Sequence, residues 1–212
     1  MTATVLPALD PGFRLDIEIL TRASMHRVYW DSANPLTPRK TDPAGIRPGS
    51  RYDCPAGVAD PFGVLYLGFD LDTCWMETVV RGSVVRPAGT GILIPEAALT
   101  RRWACEVTAS EPLVLARFAD TALVHLGESA SNIMADSYLR TQAWARLLHA
   151  HALPQVDGLL YRSRFMLDRF CIALFDRAIE ARGLRVHHQR SLHPATSAEA
   201  QAIMRRYNVV PT

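Results

Sequence analysis

The sequence predicts an α+β fold, and three observations carry that prediction. Apolar and β-branched runs of strand length recur along the chain, VLYLGF at 64–69 and FCIALF at 170–175 among them. Between such runs lie segments with helical spacing, the longest near 136–151. Strands and helices are interspersed without the even rhythm of a doubly wound parallel sheet. With 212 residues, 49% of them hydrophobic, the chain suits one domain with a modest extension. A chain of this length buries about 70% of its unfolded surface without staples.

In chain order, residues 1–24 read as an irregular lead-in with a short apolar patch. MHRVYW, 25–30, has the β-branched and aromatic content of a strand. The stretch from Asp31 to Gly63 is rich in Pro, Gly, Asp and Ser. Long loops in compact domains are functional or disordered, and this one is expected to be ordered around Arg51, Tyr52 and Asp53. VLYLGF is a buried strand. A short helix follows, capped by Asp70 or Asp72, running to about Arg81 and ended by Gly82. WACEVTA and PLVLARF are strands, and Tyr138, Ala145 and Leu148 mark a helix over 136–151. DGLLYRS and FCIALFD are strands, DRAIEARG is a short helix stopped by Gly183, and LRVHHQRSL is the last strand. Thr196 to Glu199, T-S-A-E, is a capping box for a terminal helix.

Composition narrows the function classes. A net charge of +2 gives no footprint for nucleic acid or an acidic membrane. Lys40 is the only lysine, so the basic set is almost wholly arginine. Cys54, Cys74, Cys105 and Cys171 are far apart and form no C-x-x-C pair, which argues against a zinc site or disulfide framework. His187, His188 and His193 lack ligand spacing, so no metal is expected. No run reaches the roughly 18 apolar residues of a membrane span, and the N-terminus has no leader pattern. The expectation is a soluble, cytoplasmic protein.

Glu77 is the residue that asks for chemistry. It stands in GVLYLGFDLDTCWMETVV, where most neighbours are apolar, and a carboxylate in such surroundings is costly unless it meets donors or a cation. Arg51 and Tyr52 follow Gly49 and Ser50 in the long loop, where a guanidinium can present its fork to phosphate. Tyr66, in the strand before Glu77, offers a ring for stacking and a hydroxyl that needs a partner. Ser163 ends the apolar run DGLLYRS, a position suited to a ligand contact. Arg162 and Arg164 read as alternate strand residues facing solvent.

Taken in order, these segments resemble the RES domain family, named for an Arg, a Glu and a Ser. HRVYW followed by NP resembles that family's opening, GSRYD its G-R-F-N turn, PFGVLYLG its F-G-x-L-Y-L-A strand and CWMETV its A-x-x-E-x helix. YLRTQAWARLLHAHALPQVDGLLYRSR resembles its T-x-x-L-A-x-x-L and D-G-I-x-Y-x-S segment, and FCIALFD its closing strand. The likeness covers about residues 25–176.

The resemblance implies an ADP-ribosyltransferase-like fold of two packed, mainly antiparallel sheets with surrounding helices. It divides the chain into the lead-in (1–24), a RES domain (25–182) and a C-terminal extension packed on it (183–212). It implies NAD as substrate and no metal, with Arg51, Tyr66 and Glu77 as catalytic residues and Arg27, Tyr52 and Ser163 binding substrate. The implied activity is cleavage of the nicotinamide–ribose bond, as a glycohydrolase or phosphorylase, by the toxin of a toxin–antitoxin pair. The implied partner is an Xre-type antitoxin protein, with no nucleic acid or membrane bound. Transfer of ADP-ribose to a protein, or a non-catalytic module that binds a nucleotide or partner, are the alternatives. The chain departs from the family pattern at Tyr52 and Asp53, where Phe or Trp and Asn are favoured. It departs again at Ser50, where glycine often precedes the arginine.

Overall fold

The computed structural model describes residues 14–41, 49–82, 84–85, 91–135, 137–150 and 155–212. The strands are β1 (Ile17–Leu20), β2 (Ser24–Trp30), β3 (Val64–Gly68), β4 (Val84–Val85), β5 (Ile92–Ile94), β6 (Arg102–Thr108), β7 (Leu113–Phe118), β8 (Gly158–Arg162), β9 (Phe170–Phe175), β10 (Arg185–Ser191) and β11 (Val209–Pro211). The helices are α1 (Leu71–Thr78), α2 (Glu96–Thr100), α3 (Thr121–His125), α4 (Ala130–Met134), α5 (Leu139–Ala150), α6 (Asp176–Ala181) and α7 (Ala198–Arg206). The α+β class is as expected. Among the described residues no helix is long and apolar enough to cross a membrane.

Eight strands form one mixed sheet in the order β1-β7-β8-β9-β3-β2-β6-β10, and three form a small sheet, β11-β5-β4. Within the large sheet β7 and β8 are parallel and every other neighbouring pair is antiparallel. The apolar runs take the central places. β3, β8 and β9 are almost wholly buried, which is why they read as continuous hydrophobic segments rather than alternating ones. β10, at an edge, is largely exposed and carries arginines and histidines, which discourage pairing with another chain.

Hydrogen bonding joins the eight strands in one continuous ladder instead of dividing them between the two packed sheets expected, but one joint in it is narrow. β2 and β3 share only the register pair His26–Gly68. The connection between β6 and β7 shows what happens there. These strands stand five places apart in the sheet, about 24 Å if it were flat. Four residues, 109–112, link them, and such a link reaches about 18 Å. The sheet therefore bends over on itself. Leu65 and Leu67 of β3 and Leu113 and Leu115 of β7 share a core with Met25 of β2 and Val107 of β6. The outer face of β7–β8–β9 packs on Trp144 and Leu148 of α5. A third core joins Trp75 and Met76 of α1 to Ile203 of α7 and Val209 of β11.

Several local expectations are corrected. The lead-in is not wholly irregular, because Ile17–Leu20 pairs with β7 as an edge strand. Of the two capping candidates it is Asp70 that caps α1 as expected, accepting from the Thr73 backbone N–H at 2.7 Å. Asp72 accepts instead from the Tyr207 hydroxyl at 2.9 Å and from Arg206. The terminal helix is capped by Ser197 rather than Thr196, and Glu199 faces Arg190 of β10 instead of closing a capping box. The helix over 136–151 is found as Leu139–Ala150, with both predicted end residues outside the described set.

Candidate active site

Beyond the His26–Gly68 pair β2 and β3 diverge, and the crotch between them is the mouth of a cleft of about 900 Å³. Arg27 to Trp30 from β2 and Tyr66 and Leu67 from β3 line it, with α1 along one side. α1 can lie close over the end of β3 because residue 68 is glycine: a Cβ there would meet Cys74 Sγ at 2.8 Å. That close approach sets Glu77, nearly two turns into α1, in the cleft wall.

One oxygen of Glu77 is pinned. Oε1 accepts from Ser163 Oγ and from the Arg164 backbone N–H, both at 2.7 Å. Oε2 accepts no hydrogen bond from any described residue. Ser163 itself is fully buried, and its Oγ also accepts from the backbone N–H groups of Phe165 (3.2 Å) and Met166 (3.1 Å). With one donor and two acceptor sites all engaged, Ser163 holds Glu77 and the following turn.

The turn bearing Arg51 is built around Asp53. This fully buried carboxylate accepts from the Ser50 backbone N–H (2.6 Å), Arg39 Nε (2.8 Å) and the Tyr66 hydroxyl (2.8 Å). The Tyr66 hydroxyl in turn accepts from the Tyr52 backbone N–H at 3.0 Å. Burial, with the Asp53 carboxylate second, holds the Tyr66 phenol well above its ordinary pKa, so it stays a neutral donor. Tyr66 thus fastens the turn with its hydroxyl and presents its ring to the cleft. Tyr52, expected to touch substrate, is fully buried, its ring against Phe118 and Tyr161 in the core. The turn must point one of two adjacent side chains inward, and it keeps Arg51 for the cleft.

Arg51 is nearly buried, 3.4 Å from the Arg162 carbonyl and over the Tyr161 ring at 5.6 Å. Burial draws its pKa down, but Tyr52, Tyr161 and the Glu77 charge more than offset that, and the net direction is up. Arg27 donates to the carbonyls of Pro35 and Thr37 and has no carboxylate partner among the described residues. Burial lowers its pKa to about 10. Arg39, Arg81, Arg102 and Arg164 also line the cleft, so among the described residues six guanidinium groups share its lining with Glu77, the one acidic side chain there.

Arg81 and Arg102 did not stand out in the sequence. A signal existed for Arg81, four residues after Glu77 and so on the same helical face. Its NH1 donates to Ser50 Oγ at 2.9 Å, linking the end of α1 to the Arg51 turn. Arg162 and Arg164 part company: Arg162 pairs with Asp120 away from the site, while Arg164 is in the cleft wall and not turned to solvent as alternation had suggested.

The bent sheet thus opens into a cleft whose described lining is rich in arginine and holds one half-satisfied carboxylate. The chain belongs to the RES domain family, whose pattern it matches over residues 19–197. Its fold is similar to that of a chain in the M. tuberculosis MbcT–MbcA toxin–antitoxin complex. The two are 19% identical, with a TM-score of 0.61 over 87% of this chain and 91% of that one. No curated protein matches the chain in sequence.

Proposed function

We propose that the cleft binds NAD and breaks its nicotinamide–ribose bond, and that the protein acts as the toxin of a toxin–antitoxin pair. One observation carries the chemistry: among the described residues Glu77 is the only carboxylate lining a guanidinium-rich cleft, and one of its oxygens has no donor there. Nicotinamide departs from NAD as a neutral amide, because the electron pair of the broken bond discharges the pyridinium. No acid is needed for the leaving group, unlike ordinary glycoside hydrolysis with its two carboxyl groups. What needs stabilising is the cationic ribose.

Glu77 Oε2 accepts a hydrogen bond from a ribose hydroxyl and lowers the energy of that cation, while Ser163 and the Arg164 N–H hold Oε1 so that little reorganises during the reaction. Arg27 and Arg51 neutralise the pyrophosphate. The Tyr66 ring orients the nicotinamide end, contributing proximity rather than proton transfer. With water as acceptor, the products are nicotinamide, ADP-ribose and a proton; phosphate or a protein side chain reaching the anomeric carbon gives the corresponding adduct.

Family membership and the fold shared with a toxin–antitoxin complex support the toxin reading. An ADP-ribosyltransferase-like arrangement, with the dinucleotide between diverging strands, fits the crotch of β2 and β3. An antitoxin protein of the Xre type would act by covering that opening. The test is to incubate the purified chain with NAD and follow free nicotinamide. Release over many turnovers supports the enzyme, and binding without release overturns it.

A further inference from the structure

The cleft holds more positive charge than a pyrophosphate requires. Arg39 is paired with Asp53, Arg81 is tied to Ser50, Gly49 and Tyr138, and Arg27 and Arg51 match the two phosphate charges. Arg164 is engaged as well, which leaves Arg102, and its surroundings are unusual. It is only 7% exposed, its Nε donates to the Ala98 carbonyl at 3.0 Å, and neither terminal nitrogen hydrogen-bonds a described residue. The terminal nitrogens are not among the buried unpartnered polar atoms, so they still reach solvent and are open to a ligand, while the rest of the side chain is buried. Burial lowers its pKa to about 10. The neighbouring Arg101 shows the alternative: it is exposed and neutralised by Asp31 through Nε and NH2.

Arg102 lies beside a stacking surface. Trp30 and Arg102 are cross-strand partners, which lays the guanidinium 3.6 Å from the centre of the indole ring. Trp30 is 41% exposed and lines the cleft. It is three residues along β2 from Arg27, so the two side chains leave opposite faces of the strand, and both border the cleft. An aromatic face joined to an unpaired guanidinium fork, in the lining of the same cleft as Arg27 and Arg51, matches the adenosine end of a dinucleotide. An arginine there is the usual receptor for a 2′-phosphate.

We propose that the Trp30–Arg102 corner is a phosphate subsite for the 2′-phosphate of adenosine, with the purine on Trp30, so that the cleft takes NADP in preference to NAD. The proposal rests on reading the cleft as a dinucleotide site, but its test needs no turnover. The intact protein is titrated calorimetrically with 2′,5′-ADP and with 5′-AMP, which share the adenosine and differ by the 2′-phosphate. The expected result is binding at least about tenfold tighter for 2′,5′-ADP, about 1.4 kcal/mol. Arg102→Gln should erase that preference and spare 5′-AMP, whereas Trp30→Ala should weaken both.

Equal affinities in the unaltered protein, binding of neither compound, or equal weakening of both by Arg102→Gln overturns the subsite. If Arg102→Gln does not fold, the comparison in the unaltered protein decides alone. A preference for 2′,5′-ADP without nicotinamide release would leave the subsite standing and remove the catalytic reading. Release of nicotinamide without the preference would do the reverse.

Discussion

Asp53 and Glu77 are two carboxylates held beside the same cleft, and the fold treats them differently. Asp53 is fully buried and surrounded by donors: a backbone N–H, a guanidinium and a phenol. Glu77 receives both of its donors on one oxygen and leaves the other open in the cleft wall. A saturated carboxylate holds structure together, whereas one left half-saturated among cations has capacity for a ligand. The two are coupled, because Asp53 sets the turn that aims Arg51, and Arg51 feels the Glu77 charge.

The comparison predicts opposite signatures for mutation. Asp53→Ala leaves the Ser50 N–H and the Tyr66 hydroxyl without their acceptor, and should lower unfolding stability by about 3 kcal/mol in urea denaturation. Turnover should fall with it as the Arg51 turn loosens; a fully stable Asp53→Ala would end its assignment as the structural carboxylate.

Glu77→Gln keeps shape and the two bonds to Oε1 but removes the charge. Nicotinamide release should drop at least about a hundredfold, about 2.7 kcal/mol in the barrier, with stability unchanged within about 1 kcal/mol. Activity within a few-fold of the unaltered protein would take Glu77 out of the reaction. A stability loss as large as that of Asp53→Ala would erase the distinction between the two acids.

Ser163→Ala falls between them, since Ser163 serves Glu77 and two backbone N–H groups at once. Both stability and the barrier should suffer by about 1–2 kcal/mol, read as a lower urea midpoint and roughly tenfold slower release. Slower release at unchanged stability would show that the two N–H groups find other acceptors.

The smallest effect is expected at a half-buried control away from the cleft, Glu199. Its pKa is held below the ordinary 4.5 by hydrogen bonding to Arg190, with burial opposing and the Arg190 charge assisting. A folded-state pKa below the unfolded one means stabilisation present at neutral pH and lost as pH falls through the folded value. Because both side chains are partly exposed, Glu199→Gln should cost less than about 1 kcal/mol at pH 7, and the difference should fade as pH drops through the folded-state pKa of Glu199. A difference that persists in acid would mean that something other than the ion pair was lost.

Legibility followed the range of the interactions involved. VLYLGF, DGLLYRS and FCIALFD were readable as strands because central positions demand apolar side chains on both faces. Ile17–Leu20 was not, since so short an edge strand exists through its pairing with β7, about a hundred residues away. β5 and β11 are the same case, a parallel pair between residue 92 and residue 209. In the site, Arg27, Arg51, Tyr66 and Glu77 were named from the sequence and all line the cleft. Ser163 and Tyr52 were named too, but the fold buries both. Which way a loop residue points depends on its neighbours in space, and Tyr52 next to Arg51 could not be told apart from it by spacing.

By itself the sequence determined the α+β class, the central strands, the helix carrying Glu77 and the order of the polar residues near it, because these follow from local patterning and from apolar content. Only tertiary structure decided that the ladder bends at one residue pair, that a phenol is committed to Asp53 and that Glu77 keeps an oxygen open. Those outcomes come from groups far apart in the chain competing for the same few donors, and that competition is settled only once the strands have met.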